Sequence, residues 1–173
     1  MEENLAPDQD AEADWLNSAE LAAWVRLTAV VELLPAALDS QLRRDAGLTH
    51  FEYYVLAMLS EAPERTLRMT VLAAQTNATL PRLSHVVSRL EDRGFAERFP
   101  CPEDGRATNA RLTPEGWRKV REAAPGHAAA VRRYVIDALS AGQVAQLTEI
   151  TEAILGRLAP DSVKTALYRR FDG

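Results

Sequence analysis

Apolar residues recur at helical spacing along most of the chain. Trp24, Leu27, Val31, Leu34 and Leu38 step by three and four, and Leu42 extends the line, which predicts a helix over about 14–45. Pro35 lies inside this run and is expected to kink it, because it removes one backbone donor. Gly47 reads as the stop. Thr49 followed by Glu52 reads as a capping box that opens a second helix over about 51–60. Phe51, Tyr54, Val55, Met58 and Leu59 share one side of that helix, and Ala62-Pro63 ends it. A short helix over about 70–75 leads into Thr76-Asn77-Ala78-Thr79. There Asn77 suits the left-handed conformation of a tight turn and Thr79 an N-cap, while Pro81 suits the first turn of the next helix. That helix runs to about Arg93, where Gly94 stops it, and its Leu83, Val86, Val87 and Leu90 must face a core.

The period then changes. Phe95–Phe99 and Thr108–Leu112 read as two short strands, joined by a loop over 100–107 rich in Pro, Asp and Gly. Thr113 and Pro114 are an N-cap and first-turn pair for another helix. Its later apolar positions are Val131, Tyr134, Val135 and Ala138, and Pro125-Gly126 is expected to bend or interrupt it. Ser140 and Gln143 form a capping box for a last long helix, on which Val144, Leu147, Ile150, Ile154 and Leu158 keep register. The tail to Gly173 has room for one short helix more. The order helix, short helix, turn, helix, hairpin is that of a winged helix-turn-helix. The expected class is mainly α with a small two- or three-stranded β-wing, flanked by N- and C-terminal helices.

A chain of 173 residues suits one compact domain or two small interlocked ones. The expected divisions are an acidic flexible tail over 1–13, an N-terminal helix over 14–47, the winged module over 48–113 and C-terminal helices over 114–173. No stretch is expected to approach the roughly 18 apolar residues of a membrane helix. The opening MEENLAPDQDAEADW is acidic and polar, the opposite of a signal peptide. Cys101 is the only cysteine, which excludes an intrachain disulfide and a cysteine-built zinc site, so the expected location is the reducing cytoplasm. A net charge of -5 argues at first against nucleic acid. Residues 65–121, however, hold 11 basic against 6 acidic side chains, a regional net of +5. The remainder carries -10, an asymmetry that fits either one anion-facing module on an acidic scaffold or chance clustering on solvated faces, which charge alone does not separate.

On the helix near 80–93, Arg82, His85 and Arg89 share one face at i, i+3 and i+7, with Ser84 and Ser88 beside them and the apolar residues opposite. A helix with one buried face and one face of donors suits the major groove, where Arg pairs with guanine and Ser with phosphates or bases. In the hairpin loop Pro102-Glu103-Asp104-Gly105-Arg106, an arginine at a β-ribbon tip suits a narrow minor groove. Asp104 either holds Arg106 through a bidentate pair or makes the turn. Catalysis is not expected. Ser84, His85 and Asp92 cannot form a triad on one helix, and no phosphate loop or metal-ligand spacing occurs, so no cofactor or metal is expected.

The stretch Leu72-Ala73 … Ser84 … Leu90-Glu91-Asp92-Arg93-Gly94-Phe95 … Asp104-Gly105-Arg106 … Leu112-Thr113-Pro114-Glu115-Gly116 resembles the MarR family of bacterial transcriptional regulators. The resemblance runs from about Trp24 to Leu158. Its most specific part is the Asp-x-Arg wing followed six residues later by Leu-Thr-x-x-Gly. It implies a homodimer built from the first and last helices that binds double-stranded DNA at a pseudo-palindromic operator, most often as a repressor. By position it assigns Thr79, Arg82, Ser84, His85, Ser88 and Arg89 to the recognition helix region, and Asp104 and Arg106 to the wing. Asn77 stands where the family often has Gly, and Thr76 where an apolar residue is usual. The long apolar lines of the first and last helices independently favour burial against a second copy.

The resemblance also implies small aromatic or phenolic effectors, for which Trp24, His50, Phe51, Tyr54 and Trp117, with Tyr53, are the candidate pocket residues. Aromatics at helical spacing equally serve a core. His50, His85 and His127 read as too scattered for a metal site. Cys101 lies among Pro100, Pro102, Glu103 and Asp104, whose acids are expected to raise its thiol pKa, against redox sensing. Two alternatives stay open: a winged helix used only for protein–protein contact, and a cysteine-based redox-sensing regulator.

Overall fold

The computed structural model describes residues 14–158. The tail expected over 1–13 and the short helix expected before Gly173 lie outside the described residues. The described elements are α1 (Ser18–Ala46), α2 (His50–Glu61), a 3-10 turn (Pro63–Arg65), β1 (Thr66–Arg68), α3 (Met69–Gln75) and α4 (Leu80–Asp92). They continue with β2 (Ala96–Cys101), β3 (Asp104–Leu112), α5 (Pro114–Tyr134), a second 3-10 turn (Ile136–Ala138) and α6 (Ala141–Leu158). The chain divides into two compact units, one ending at Leu34 and one starting at Pro35.

In the N-terminal unit, α1 begins under a local cap: the backbone N–H groups of Ala19 and Glu20 donate to Asn17 Oδ1, and the Asn17 N–H donates to Glu20. Its large apolar residues, Leu21, Trp24, Val25, Val30, Val31 and Leu33 among them, are exposed. One expectation is corrected here. An 18-residue window of α1 has a mean hydropathy of 1.6, so by length and composition alone this helix is apolar enough to cross a membrane. Scattered Ala and Val positions, counted one at a time, hide that total.

The second unit encloses the core. Leu42, Leu48, Val55, Leu56, Leu59, Leu72, Leu83, Val87 and Leu90 are fully buried, so α2, α3 and α4 pack around the end of α1 and the sheet. The local signals act where they were read. Gly47 and Gly94 end helices at φ +64° and +72°, and Asn77 makes the turn at φ +53°. Thr49 and Glu52 close a reciprocal capping box on α2, while Thr79 and Thr113 cap α4 and α5. Ser140 and Gln143 exchange the hydrogen bonds of a second capping box.

Three readings change, and the sheet takes the three-stranded of its two expected forms. On α2 the buried residues are Glu52, Tyr53, Val55, Leu56 and Leu59, while Phe51, Tyr54 and Met58 are half-buried. The helix touches α3, α4, α5 and β3, so its burial is wider than one stripe. The sheet has three antiparallel strands in the order β1-β3-β2, because Thr66–Arg68 pairs with Arg111–Asn109. The hairpin is longer than expected, with strands reaching Cys101 and restarting at Asp104, and a register shift at Pro100/Cys101. Finally, α5 stays helical through Pro125-Gly126. Gly126 there faces the Gln41 and Asp45 side chains of α1.

Candidate nucleic-acid interface

The helix α4 has four distinct sides, and each follows from spacing. Leu83, Val86, Val87 and Leu90 are buried in the core. Directly opposite runs the line Pro81, His85, Ser88 and Asp92, all exposed but the half-buried Ser88. One flank carries Arg82, Arg89 and Arg93 at i, i+7 and i+11, and all three engage the start of α2. The Arg82 guanidinium lies 4.4 Å from the centre of the Phe51 ring. Arg89 Nη2 stands 2.7 Å from Glu52 Oε1, and Arg93 Nη1 stands 3.7 Å from Glu52 Oε2. Arg93 also donates to the Gly47 carbonyl at 3.1 Å. The other flank carries Ser84 and Glu91. Arg98 of β2 donates to Ser84 Oγ at 3.1 Å and to Glu91 through both its backbone N–H and its guanidinium.

The residues read from sequence therefore separate. Arg82, His85 and Arg89 are exposed, and Ser84 and Ser88 are half-buried. Arg82 is stacked yet keeps its donors at the surface, whereas Arg89 is ion-paired and Ser84 is bonded to the wing. Thr79 accepts the Arg82 N–H as a cap at 3.4 Å. At the wing, Asp104, Gly105 and Arg106 are exposed. Asp104 makes the turn by accepting the backbone N–H of Arg106 at 3.2 Å, so of its two readings the turn is the one formed. Glu52, Arg93 and Arg98 were missed as members of this site. The signal for Arg93 was present in the i, i+7, i+11 spacing of three arginines beside a buried line, whereas Glu52 and Arg98 join the site only through tertiary contacts.

The candidate pocket residues have different neighbours. Trp24 belongs to the N-terminal unit and is exposed. In the second unit Phe51 carries Arg82, the Tyr54 hydroxyl donates to the Gln75 carbonyl at 3.1 Å, and Trp117 carries Arg65 at 4.2 Å. A groove of about 510 Å³ at the base of the sheet is lined by Glu64, Arg65, Glu97, Arg111, Leu112 and Pro114, none of them on the expected set.

The histidines need a correction, since two of the three are neighbours. The His127 ring lies 6.0 Å from His50 and 4.6 Å from Tyr53. Burial holds both imidazoles below their ordinary pKa, with the neighbouring His50 adding to the effect on His127 and Asp39 opposing it on His50. Among the described residues no group of three or more His, Cys, Asp or Glu side chains could hold a metal ion. Cys101 needs one too. Hydrogen bonds from the Glu103 backbone, then the Asp104 backbone, and the Arg68 guanidinium at 3.5 Å hold its thiol below the usual range despite burial. The nearby acids act through their N–H groups, not their charges.

Comparison with known proteins bears on the family and the fold. A family model described as MarR family matches residues 46–107. The chain is 44% identical to Sco3205, a MarR family transcriptional regulator from Streptomyces coelicolor solved in complex with DNA. That match covers 85% of this chain and 96% of the other, at a TM-score of 0.82. AbsC, a MarR family transcriptional regulator from the same organism, is 35% identical over 85% of this chain and 99% of its own, at a TM-score of 0.80. The HTH-type transcriptional repressor YetL of Bacillus subtilis (strain 168) is 31% identical over 81 residues, or 47% of this chain. The chain thus spans about half the length of that curated relative, 48%.

Proposed function

The chain belongs to the MarR family, and from that membership we propose that it is a homodimeric, sequence-specific DNA-binding regulator, a cytoplasmic repressor released by a small-molecule effector. The observation that carries this reading is the four-sided α4. A helix buried on one side and braced on both flanks turns the line of Pro81, His85, Ser88 and Asp92 outward, with Arg82 exposed beside it, as insertion into a major groove requires. Arg82, His85 and Ser88 supply donors to base edges and phosphates there, with Thr79 and Ser84 at the margins. The exposed Arg106 enters the adjacent minor groove from the wing, held in its turn by Asp104. Sco3205, 44% identical and solved with DNA, supports the DNA, and YetL, a repressor, supports the direction of control.

The dimer rests on apolar surface. The exposed residues of α1 and, separately, Leu147, Ile150, Ile154 and Leu158 of α6 need cover that a second copy supplies. Two copies then set two α4 helices about one DNA turn apart, roughly 34 Å. In the second unit, His50, Phe51, Tyr54 and Trp117 are the candidates for contact with an aromatic or phenolic effector. Binding of that effector shifts the population from DNA-competent to incompetent dimers.

Fluorescence anisotropy on the DNA upstream of the protein's own gene tests the reading, with random-sequence competitor and three salt concentrations. Competitor-resistant binding that weakens as salt rises is the expected result. Binding no tighter than to random DNA at that site and on genomic fragments would overturn it in favour of a protein-contact module.

A further inference from the structure

We propose that Glu52 is a positioning residue for DNA recognition. Through Arg89 and Arg93 its buried carboxylate fixes the rotation of α4 about its own axis, and so selects Pro81, His85 and Ser88 as the line that meets the groove. The proposal rests on the reading of the chain as a DNA-binding regulator. Glu52 has only 2% of its side chain exposed. A carboxylate at that depth is costly unless it is paired. Capping α2 does not explain the charge, because a glutamine at this position completes a capping box equally well. What requires an anion is the arginine line of α4: Oε1 faces Arg89 at 2.7 Å, and Oε2, which also accepts the Thr49 N–H at 2.8 Å, faces Arg93 at 3.7 Å.

The core side of α4 consists of Leu and Val, whose contacts are non-directional and tolerate a roll of the helix. Base reading tolerates only about 10–20° of misorientation. Attachments on both flanks oppose such a roll: close ion pairs to Glu52 and the Arg93 hydrogen bond to the Gly47 carbonyl on one, the Arg98 hydrogen bonds on the other. Glu52 holds one flank, and Arg98, bound to Glu91 and Ser84, holds the other. Arg89 is therefore a strut between Glu52 and α4, and the base-reading donors are those on the outward line together with Arg82.

The test uses a duplex enriched from a random pool by the wild-type protein, a random duplex, and the variants Glu52→Gln, Arg89→Gln and their double. Glu52→Gln keeps the capping acceptor and removes the charge. The expected result is a loss of about tenfold on the enriched duplex in each single variant, with binding to random DNA within about twofold. The double variant is expected to lose no more than the weaker single, and the salt slope stays unchanged in all three. Arg89→Gln, which removes the half-exposed partner, keeps the test open if Glu52→Gln does not fold. Unchanged affinity of Glu52→Gln for the enriched duplex overturns the proposal. So does a salt slope flattened by about one in Arg89→Gln, which would put that guanidinium on a phosphate. Amide exchange along α4 in the DNA-free protein separates the two levels. If no duplex is enriched, the DNA reading fails, while faster exchange in Glu52→Gln still supports the clamp and unchanged exchange overturns it.

Discussion

At Gly116 the first turn of α5 presses on the carbonyl of Phe95. A Cβ at that position would stand 2.0 Å from the Phe95 oxygen and 2.7 Å from Leu112 Cδ1. Neither backbone nor buried leucine can yield cheaply, so Gly116→Ala is expected to destabilise the protein by about 1–3 kcal/mol or more, measured by urea unfolding. The glycine of the Leu-Thr-x-x-Gly motif is thus explained by packing of the wing's base on α5. Arg106 is the converse case, an exposed side chain whose removal leaves the fold alone. Arg106→Ala is expected to weaken DNA binding by about 1–3 kcal/mol with an unchanged sedimentation coefficient. Thr76 shows how a polar residue fills an apolar position. It is buried, and its hydroxyl donates to the Leu72 carbonyl at 2.7 Å, so the turn closes without an unpaired group.

Among the elements, α2 joins most of the others. Its first turn meets α4 through Phe51 and Glu52 and meets α5 through His50. The backbone N–H of His50 donates to Asp39 Oδ1 at 2.8 Å, and Asp39 is itself paired with Arg43. Facing it, His127 Nδ1 is buried with no hydrogen-bond partner. Because both imidazoles have lowered pKa values in the folded state, the unfolded chain takes up protons first as pH falls. Stability is therefore complete above the ordinary histidine value of about 6.5 and is lost as pH drops from there through the folded values. Thermal melts across that window are expected to show a falling Tm, and His127→Gln a shallower fall. Spacing made these helices readable, but 77 residues separate His50 from His127, and their meeting depends on how α5 crosses α2.

At the scale of the whole molecule, the exposed apolar residues of α1 and, separately, of α6 need cover. On the dimer reading, Ile150→Glu together with Ile154→Glu in α6 is expected to shift sedimentation equilibrium toward monomer. DNA affinity would then fall by more than any wing variant, because two half-sites bind as one unit. A dimer untouched by both charges would remove α6 from the interface.

What the sequence determined by itself was local. Helix starts at Thr49, Thr79, Thr113 and Ser140, stops at Gly47 and Gly94, the turn at Asn77 and the buried line of α4 all follow from interactions within a few residues, which spacing encodes directly. The fold order and the wing motif followed from those. Tertiary structure decided which polar residues are available. Arg82, His85 and Arg89 share one face by spacing, but Arg89 also pairs with Glu52, thirty-seven residues earlier, and Ser84 accepts a hydrogen bond from Arg98 of the wing. It likewise set the third strand, which exists only because Thr66–Arg68 meets β3 across the fold. Charged side chains follow the nearest partner in space, and a linear pattern carries no record of which partner that is.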